Sequence, residues 1–445
     1  MDNTKKYVAV GILCFINLIN YMDRFTVAGV LPDITKYYSL SDAEGGSLQS
    51  AFIVSYMVMA PLFGYLGDRY SRKNLMAVGV FFWSITTYLG SIIPANAKGW
   101  FIFMRAMVGI GEASYSTIAP TIIADLFIGD LRTKVLGLFF FAIPVGSGMG
   151  FIVGDLLSRA FGSWKYALRL TPMLGLFSIF LMLIFLEEPQ RGQADGASNL
   201  VKSTLKTDIR YLIKIPSYIW STLGFTCVCF TTGSLTWWAP TFMQAVFKLQ
   251  DGKDHDGIPL IFGVITCIGG IVGVLTGTYA AQYLRKKTHR ADPLICSASV
   301  FISTPFIFLS IALATSVPTL SWISIAIGVT LLCINWTLVA DMLLYIIVPH
   351  RRAFAQSIQI LISHLLGDAT SPYIIGLISD AIKSSKSFTS TNEAQAISLQ
   401  YSLYTNCIVL ILGGVAFLYN SYYIKRDQDI CTEAAQDTYG FAIDA

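Results

Sequence analysis

Apolar runs long enough to cross a bilayer, at about 20 residues each, recur twelve times along the chain: 7–30, 46–66, 74–94, 99–126, 133–155, 166–187, 218–246, 259–284, 294–316, 320–347, 353–380 and 398–424. In hydrocarbon every backbone N–H and C=O has to be satisfied internally, so runs of this length become spanning helices. Composition agrees. Charged residues make up 13% and hydrophobic residues 54% of the 445, against about 25% charged in ordinary soluble domains, which leaves too little polar surface to face water. The expected fold is an all-α membrane protein of twelve transmembrane helices.

Orientation follows from the bias of Lys and Arg toward the cytoplasmic side. With both termini cytoplasmic, of the 31 Lys and Arg, Arg24, Arg105 and Arg169 lie within or at the edge of spans, eight (Lys36, Lys98, Arg159, Lys165, Lys248, Lys253, Lys383, Lys386) face outward and the other twenty face the cytoplasm. The net charge of +4 is therefore a topological signature, and no nucleic-acid partner is expected. The first apolar run is too long for a cleavable signal and continues into Asp23-Arg24. Seven of the eight cysteines sit inside spans, with Cys431 in the tail, and no disulfide framework is expected.

Residues 64–73 read Gly-Tyr-Leu-Gly-Asp-Arg-Tyr-Ser-Arg-Lys, a charged turn between two spans. Gly64, Asp68, Arg69, Arg72 and Lys73 resemble the loop between the second and third helices of major facilitator transporters, which carries a second Gly where this chain has Ser71. An echo follows about 210 residues later at 277–287, where Gly277, Arg285 and Lys286 repeat Gly64, Arg72 and Lys73 and Ala281 replaces Asp68. Ala124-Asp125 and Ala340-Asp341 form a second matched pair. Such repeats are left by two pseudo-symmetric six-helix bundles. The expected organisation is a first bundle over 1–187, a cytoplasmic linker over 188–217, a second bundle over 218–424 and a tail over 425–445. Within the linker Lys202, Lys206, Arg210 and Lys214 recur every four residues, with Val201, Leu205, Ile209, Leu212 and Ile213 on other faces, as in an amphipathic helix lying in the headgroup region.

An ionisable side chain inside a span costs about 2.5–3.5 kcal/mol on insertion scales and has to face a cavity or a partner. Six stand out: Asp23 and Arg24 in span one, Arg105 and Glu112 in span four, His364 and Asp368 in span eleven. At 1.5 Å rise per residue, Asp23 lies about 24 Å from the inner end of span one and Arg105 about 9 Å from the outer end of span four, similar depths in a core of about 30 Å. If spans one and four adjoin, Asn17, Asn20, Asp23, Arg24, Arg105 and Glu112 line one cavity. An Arg would then receive an anionic head while Asp23 or Glu112 exchanges a proton. The alternative is two static pairs, Asp23–Arg105 and Arg24–Glu112, that lock helices. Buried pairs contribute little net stability, and four charges on two helices exceed what locking needs. His364 either titrates or fills the bundle as a neutral hydrogen-bonding residue.

Other positions read as gates or packing seams. Asp68, Arg69, Arg72, Asp125 and Arg132, with Asp341, Arg351 and Arg352 in the second half, form charge networks at inner helix ends. Pro144, Gly146, Gly148, Gly150 and Gly154 in span five let helices approach closely. The outer loop with Asp251, Asp254, His255 and Asp256 lacks the spacing of a calcium loop. Span seven carries Thr231, Thr232, Thr236, Trp237 and Trp238 and no charge, so a charged wall and an aromatic one suit an amphiphile better than a sugar.

Four segments together resemble the Spinster branch of the superfamily: 20–33 (Asn-Tyr-Met-Asp-Arg-Phe-Thr-Val-Ala-Gly-Val-Leu-Pro-Asp), 109–120, 141–148 and 363–368 with Ser371-Pro-Tyr373. The resemblance implies export of lysophospholipids or sphingoid lipids such as sphingosine 1-phosphate, coupled to protons. It implies proton and head-group recognition at Asp23, Arg24, Arg105 and Glu112, with Asp33, Thr121 and Arg132 in support. Together with the residue reading above, the expected proton-coupling residues are Asp23, Glu112 and His364, and the expected substrate-binding residues are Asn17, Asn20, Arg24, Arg105, Thr121, Thr232, Thr236 and Trp237. Gating falls to Asp33, Asp368 and the inner-end charges. A lysosomal or late endosomal membrane is expected, with the plasma membrane as alternative. No enzyme, cofactor or metal is expected, since neither a nucleophile–base pair nor a metal-ligand cluster has the needed spacing. The expected partners are the lipid, protons and membrane lipids, around a monomer. Rival readings are a carrier of small organic anions and a transport-dead lipid sensor.

Overall fold

The computed structural model describes residues 3–67, 69–127, 129–189, 205–252, 257–348 and 351–443. Among the described residues there are helices and turns and no strand. Spans one to six are Asn3–Gly29, Asp42–Gly67, Arg72–Ile92, Lys98–Leu126, Gly129–Ala160 and Trp164–Phe185. Spans seven to ten are Pro216–Asp251, Ile258–Leu284, Ala291–Ala312 and Pro318–Ile346. Span eleven is Arg352–Ser363 and Ser371–Ser385 joined through a π-helical turn, His364–Asp368. Span twelve is Thr391–Leu403 followed by Thr405–Ile443, so its helix runs on through the segment expected to be a separate tail.

Ten of these helices are long and apolar enough to cross a membrane, and Pro216–Asp251 makes an eleventh with the short helix bent 81° away from it. The remaining one, Lys98–Leu126, is 29 residues long and carries Arg105, Glu112 and Asp125. Span three shows why the helices are membrane helices. Val78, Phe81, Phe82, Ile85, Leu89 and Ile92 form an exposed apolar stripe, while Val80, Trp83, Ser84, Thr87 and Ser91 on the other face are buried. That pattern inverts the soluble rule, in which the apolar stripe turns inward.

The chain forms two compact units: Met1–Ser198 with Thr236–Cys267 and Pro372–Leu399, and Asn199–Leu235 with Ile268–Ser371 and Gln400–Ala445. Their borders fall within spans seven, eight, eleven and twelve. In the first unit the Lys5–Glu187 ion pair (2.6 Å) marks one end, here called proximal; the short helix Leu31–Tyr38 lies at the other, distal end. Span one packs chiefly on span five, and span four on spans two and three. Bare backbones make the first seam: a Cβ at Gly146, Gly150 or Gly154 would fall 2.7, 2.6 or 3.1 Å from the carbonyl oxygens of Leu18, Met22 and Thr26. Small residues at four-residue spacing serve this purpose in lipid, where no hydrophobic effect drives helices together.

In the second unit the short helix is Leu205–Ile213, and Asp208 on it pairs with Arg351 at 2.9 Å. The part of the expected amphipathic helix before residue 205, with Lys202, lies outside the described residues, as do Asp254, His255 and Asp256 of the loop after span seven.

Candidate functional site

The charges of spans one and four meet inside the first unit. Gly109 lets this happen: a Cβ there would lie 2.2 Å from the Phe52 carbonyl oxygen, so spans two and four touch backbone to backbone. Phe52 is thereby brought under both guanidinium groups, 4.8 Å from Arg24 and 5.1 Å from Arg105. Arg24 Nη2 donates to Glu112 Oε2 at 3.1 Å, and its guanidinium also lies over the rings of Tyr21 (4.9 Å) and Tyr56 (5.1 Å). Asp23 accepts from Thr171 through Oδ1 and from Thr87 at 3.3 Å through Oδ2. Arg105 Nη1 stands 3.9 Å from Asp23 Oδ2, within ion-pair range and beyond a hydrogen bond.

Both pairings allowed by the sequence are therefore formed, and both are incomplete. Asp23, Arg105 and Glu112 are buried. Yet all three Arg105 nitrogens, Glu112 Oε1, Arg24 Nε and both amide atoms of Asn20 have no hydrogen-bond partner among the described residues. A buried polar group left unmet costs about 1–3 kcal/mol, and most native groups avoid it. So many unmet groups in one place mark a site with spare capacity for a polar ligand. Asn17 differs: its Nδ2 donates to the Phe139 carbonyl at 2.8 Å and helps hold span one to span five. The sequence did not point to Phe52, Tyr56, Thr87 or Thr171, because a ring or a hydroxyl in an apolar run carries no charge signal.

At the proximal end Arg72 bonds Asp125 at 2.6 Å. Its backbone N–H and Nε donate to Glu188 Oε1 at 2.9 and 3.4 Å, and Ser71 Oγ donates to Glu188 Oε2 at 2.7 Å. Thr121, expected to bind substrate, belongs here instead, 3.5 Å from Arg72 Nη1. Asp68 lies outside the described residues, and Arg69 is exposed with its guanidinium over the Tyr65 ring. In the second unit Arg285 bonds Asp341 and Asp292, each at 2.8 Å, so the repeat of Arg72 and Asp125 seen in the sequence is a repeat of contacts. Asp341 was expected to network with Arg351 and Arg352; its partner is Arg285, while Arg351 goes to Asp208. Arg132 and Arg352 play matching parts, each donating through Nε to a carbonyl five residues earlier, Phe127 at 2.9 Å and Ile347 at 3.0 Å.

Glu188 gives this clasp a pH dependence. Burial pushes its carboxyl up, but Ser71, the Arg72 backbone N–H and the Arg72 guanidinium outweigh burial and hold it below the usual carboxylate range. A depressed carboxyl contributes stability above its unfolded pKa and loses it as pH falls through the folded value. The difference in melting temperature between wild type and Glu188→Gln is thus expected to hold from pH 7 to 5 and shrink only below about pH 4. A difference already gone at pH 5 would refute this assignment.

In the second unit His364 and Asp368 sit one turn apart on the π turn, with Nδ1 and Oδ2 2.6 Å apart. The Trp336 ring centroid lies 5.7 Å from that of His364. Asp368, expected as a gate, is thus the partner of His364. Thr232 donates to the carbonyls of Val228 and Cys229 in its own helix.

Comparison with known proteins decides the family. The Major Facilitator Superfamily model matches residues 13–372. Protein spinster homolog 1 of Xenopus laevis is 48% identical over 433 residues, covering 95% of this chain and 82% of that protein. The human protein of the same name is 47% identical over 431 residues, covering 94% and 81%. The chain belongs to the Spinster family of the major facilitator superfamily. A crystal structure described as a bacterial homolog of the human lysosomal transporter Spinster, inward-facing and unoccupied, matches with a TM-score of 0.83. It is 19% identical, with 96% of this chain and 99% of that one covered.

This Spinster-family chain is therefore a membrane transporter and not an enzyme, and its first unit holds a distal cluster of contacts that the sequence hid. At the distal end of the first unit, the Asp380 carboxylate accepts from the backbone N–H groups of Asp42 (3.0 Å) and Ala43 (2.8 Å). Lys383 and Ser379 donate to Asp42 Oδ2 at 2.6 and 2.5 Å, and Gln395 donates to Oδ1 at 3.1 Å. Trp237 and Trp238 seal the same region. Both are buried, with Nε1 donating to the carbonyls of Gly45 (3.1 Å) and Pro372 (2.8 Å). Trp237, expected to touch substrate, is in this conformation part of the seal, and Thr236 beside it is half-buried. Asp33 is apart from the proximal charge network, accepting from Ser158 at 3.1 Å near the end of span five. Asp42 and Lys383 escaped notice because each lies at a span end, where a charge is unremarkable.

Proposed function

We propose that this transporter carries lysophospholipid or sphingoid-type amphiphiles by alternating access, coupled to protons, with Asp23, Arg24, Arg105 and Glu112 as its head-group and proton site. One observation carries the reading: two carboxylates and two guanidinium groups are buried together with hydrogen-bonding capacity unused. Arg24 can pair with the Glu112 carboxylate or with an anionic head, and a proton on Glu112 releases it to the second. Charge-assisted bonds to a phosphate favour Arg, whose fork matches two oxygens at once. Asn20 and the unmet Arg105 nitrogens complete the head-group site, and the hydroxyls of Thr87 and Thr171 hold Asp23 in place. Thr232, Thr236 and Trp237 contact substrate during passage, Trp237 only once the distal seal has opened. The Arg72 and Arg132 networks of the first unit, and separately the Arg285 and Arg351 networks of the second, act as gating elements.

The excess of Lys and Arg near the proximal turns supports cytoplasmic termini. The solved relative's description of human Spinster as lysosomal supports that membrane for this chain, and one chain is the proposed working unit. The test is flux of labelled lysophosphatidylcholine and sphingosine 1-phosphate in proteoliposomes under an imposed pH gradient. Gradient-driven flux, blocked by long-tailed and not by short-tailed competitors, is the expected result. Competition independent of tail length would replace this reading with a small-anion carrier; binding without flux would leave a sensor.

A further inference from the structure

Spans seven and eleven come together in the second unit more closely than ordinary helices do. A Cβ on Gly367 would lie 2.7 Å from the Cys229 Cβ and 2.9 Å from the Phe230 nitrogen, and one on Gly233 would lie 2.7 Å from the Asp368 Cα. This contact sets the free thiol of Cys229, which is fully buried, against the π turn that carries His364 and Asp368. One ligand-type atom from each of Cys229, His364 and Asp368 lies within 4.8 Å of the other two. Asp368 Oδ1 is buried with no hydrogen-bond partner among the described residues. The His364 and Asp368 side chains are not fully closed off, keeping 18% and 21% of their surface exposed.

We propose that Cys229, His364 and Asp368 form a three-ligand binding site for a divalent transition-metal ion, Zn2+ being the ion this donor set fits. A sulfur, an imidazole nitrogen and a carboxylate oxygen are the mixed donors zinc accepts, and three protein ligands leave its fourth position for water or another group. Ca2+ and Mg2+ are disfavoured, because both want an all-oxygen shell of six or more. The π turn matters to the geometry. It is an irregular turn of a kind found often at functional sites, and here it turns His364 and Asp368 to the same side, toward span seven. A bound ion would clamp spans seven and eleven to each other and hold the imidazole of His364 as a ligand. Sequence spacing could not reveal the site, since its ligands come from positions 229, 364 and 368 on two spans.

The test uses the full-length protein in nanodiscs, stripped with chelator and titrated with Co2+ as a spectroscopic stand-in for Zn2+. One Co2+ per chain, with a thiolate-to-cobalt charge-transfer band in the near ultraviolet that Zn2+ displaces, is the expected result. Cys229→Ser should lose the band, and His364→Gln and Asp368→Asn should each weaken Co2+ affinity by at least about tenfold. Cys229→Ser should also keep metal-free lipid flux while losing its response to added Zn2+. No thiolate band in wild type, a result that needs no variant to fold, overturns the proposal. So does a band that survives in Cys229→Ser, since it would belong to another of the free cysteines.

Discussion

Glu112→Gln is expected to leave a folded protein that no longer responds to a pH gradient. The substitution keeps the shape and an acceptor for Arg24 Nη2, which now sits 3.1 Å from Glu112 Oε2. It removes the proton-exchanging group and the negative charge. Breaking a buried ion pair costs about 3–5 kcal/mol when the remaining charge is stranded. Arg24 is not stranded outright, because the rings of Tyr21, Phe52 and Tyr56 stay within 5.1 Å of its guanidinium, each worth about 0.5–2 kcal/mol. The loss should therefore fall on coupling and not on folding. In proteoliposomes the mutant should carry lipid downhill at a rate indifferent to an imposed gradient, while wild type is accelerated. Retained acceleration would remove Glu112 from the proton path and return the Arg24–Glu112 pair to a static lock. Thr171→Val separates the roles further: it leaves Asp23 with Thr87 and Arg105 only, and should weaken head-group competition by at least about tenfold, as expected for one charge-assisted bond worth roughly 1.5–3 kcal/mol.

Gly46→Val should hold the distal end open. A Cβ at Gly46 would lie 2.2 Å from the Pro372 oxygen and 2.8 Å from the Tyr373 nitrogen. Both are backbone atoms, which cannot rotate aside as a side chain can. Gly376 faces the Asp42 oxygen in the same way at 2.3 Å, so the two segments meet along bare backbone on both sides. Overpacking costs about 1–3 kcal/mol, enough to bias a two-state equilibrium roughly 5- to 150-fold. The closed arrangement alone pays this cost, because the open one has nothing at that position. A cysteine at Ser379, which is buried in the seal, should react slowly with an impermeant maleimide in the parent protein and at least about fivefold faster beside Gly46→Val. Lipid flux should fall in parallel. Equal labelling in the two backgrounds would mean that span two and span eleven do not part during transport.

Much of this was readable from residue order. Charges in apolar runs announced Asp23, Arg24, Arg105 and Glu112, because insertion of a charge is costly enough to need a reason. The echoes of Arg72 at Arg285 and of Asp125 at Asp341 were visible as repeats, but that each Arg would pair with its Asp was not; in sequence Asp341 groups with Arg351 and Arg352. What escaped were groups whose importance lies in what they touch. Thr87 and Thr171 look like any threonine in a membrane helix, yet they provide the hydrogen bonds that Asp23 accepts. Trp237 looked like a substrate contact because an aromatic side chain in a span suits a lipid. Its indole N–H is spent on the Gly45 carbonyl instead.

Residue order settled the all-helical spanning architecture, the internal repeat and the family, because bilayer thickness and backbone hydrogen bonding leave an apolar run of this length one way to be satisfied. Which helices touch was decided only in three dimensions. In lipid the contact surface is chosen by small residues and by a few polar bonds, and those act between positions far apart in the chain. Asp42 and Lys383 lie 341 residues apart in sequence and 2.6 Å apart in space, and Cys229 and Asp368, most of a bundle apart in sequence, bring ligand atoms within 4.8 Å. Spacing along the chain carries no trace of such pairs, whereas the approach of two bare backbones creates them.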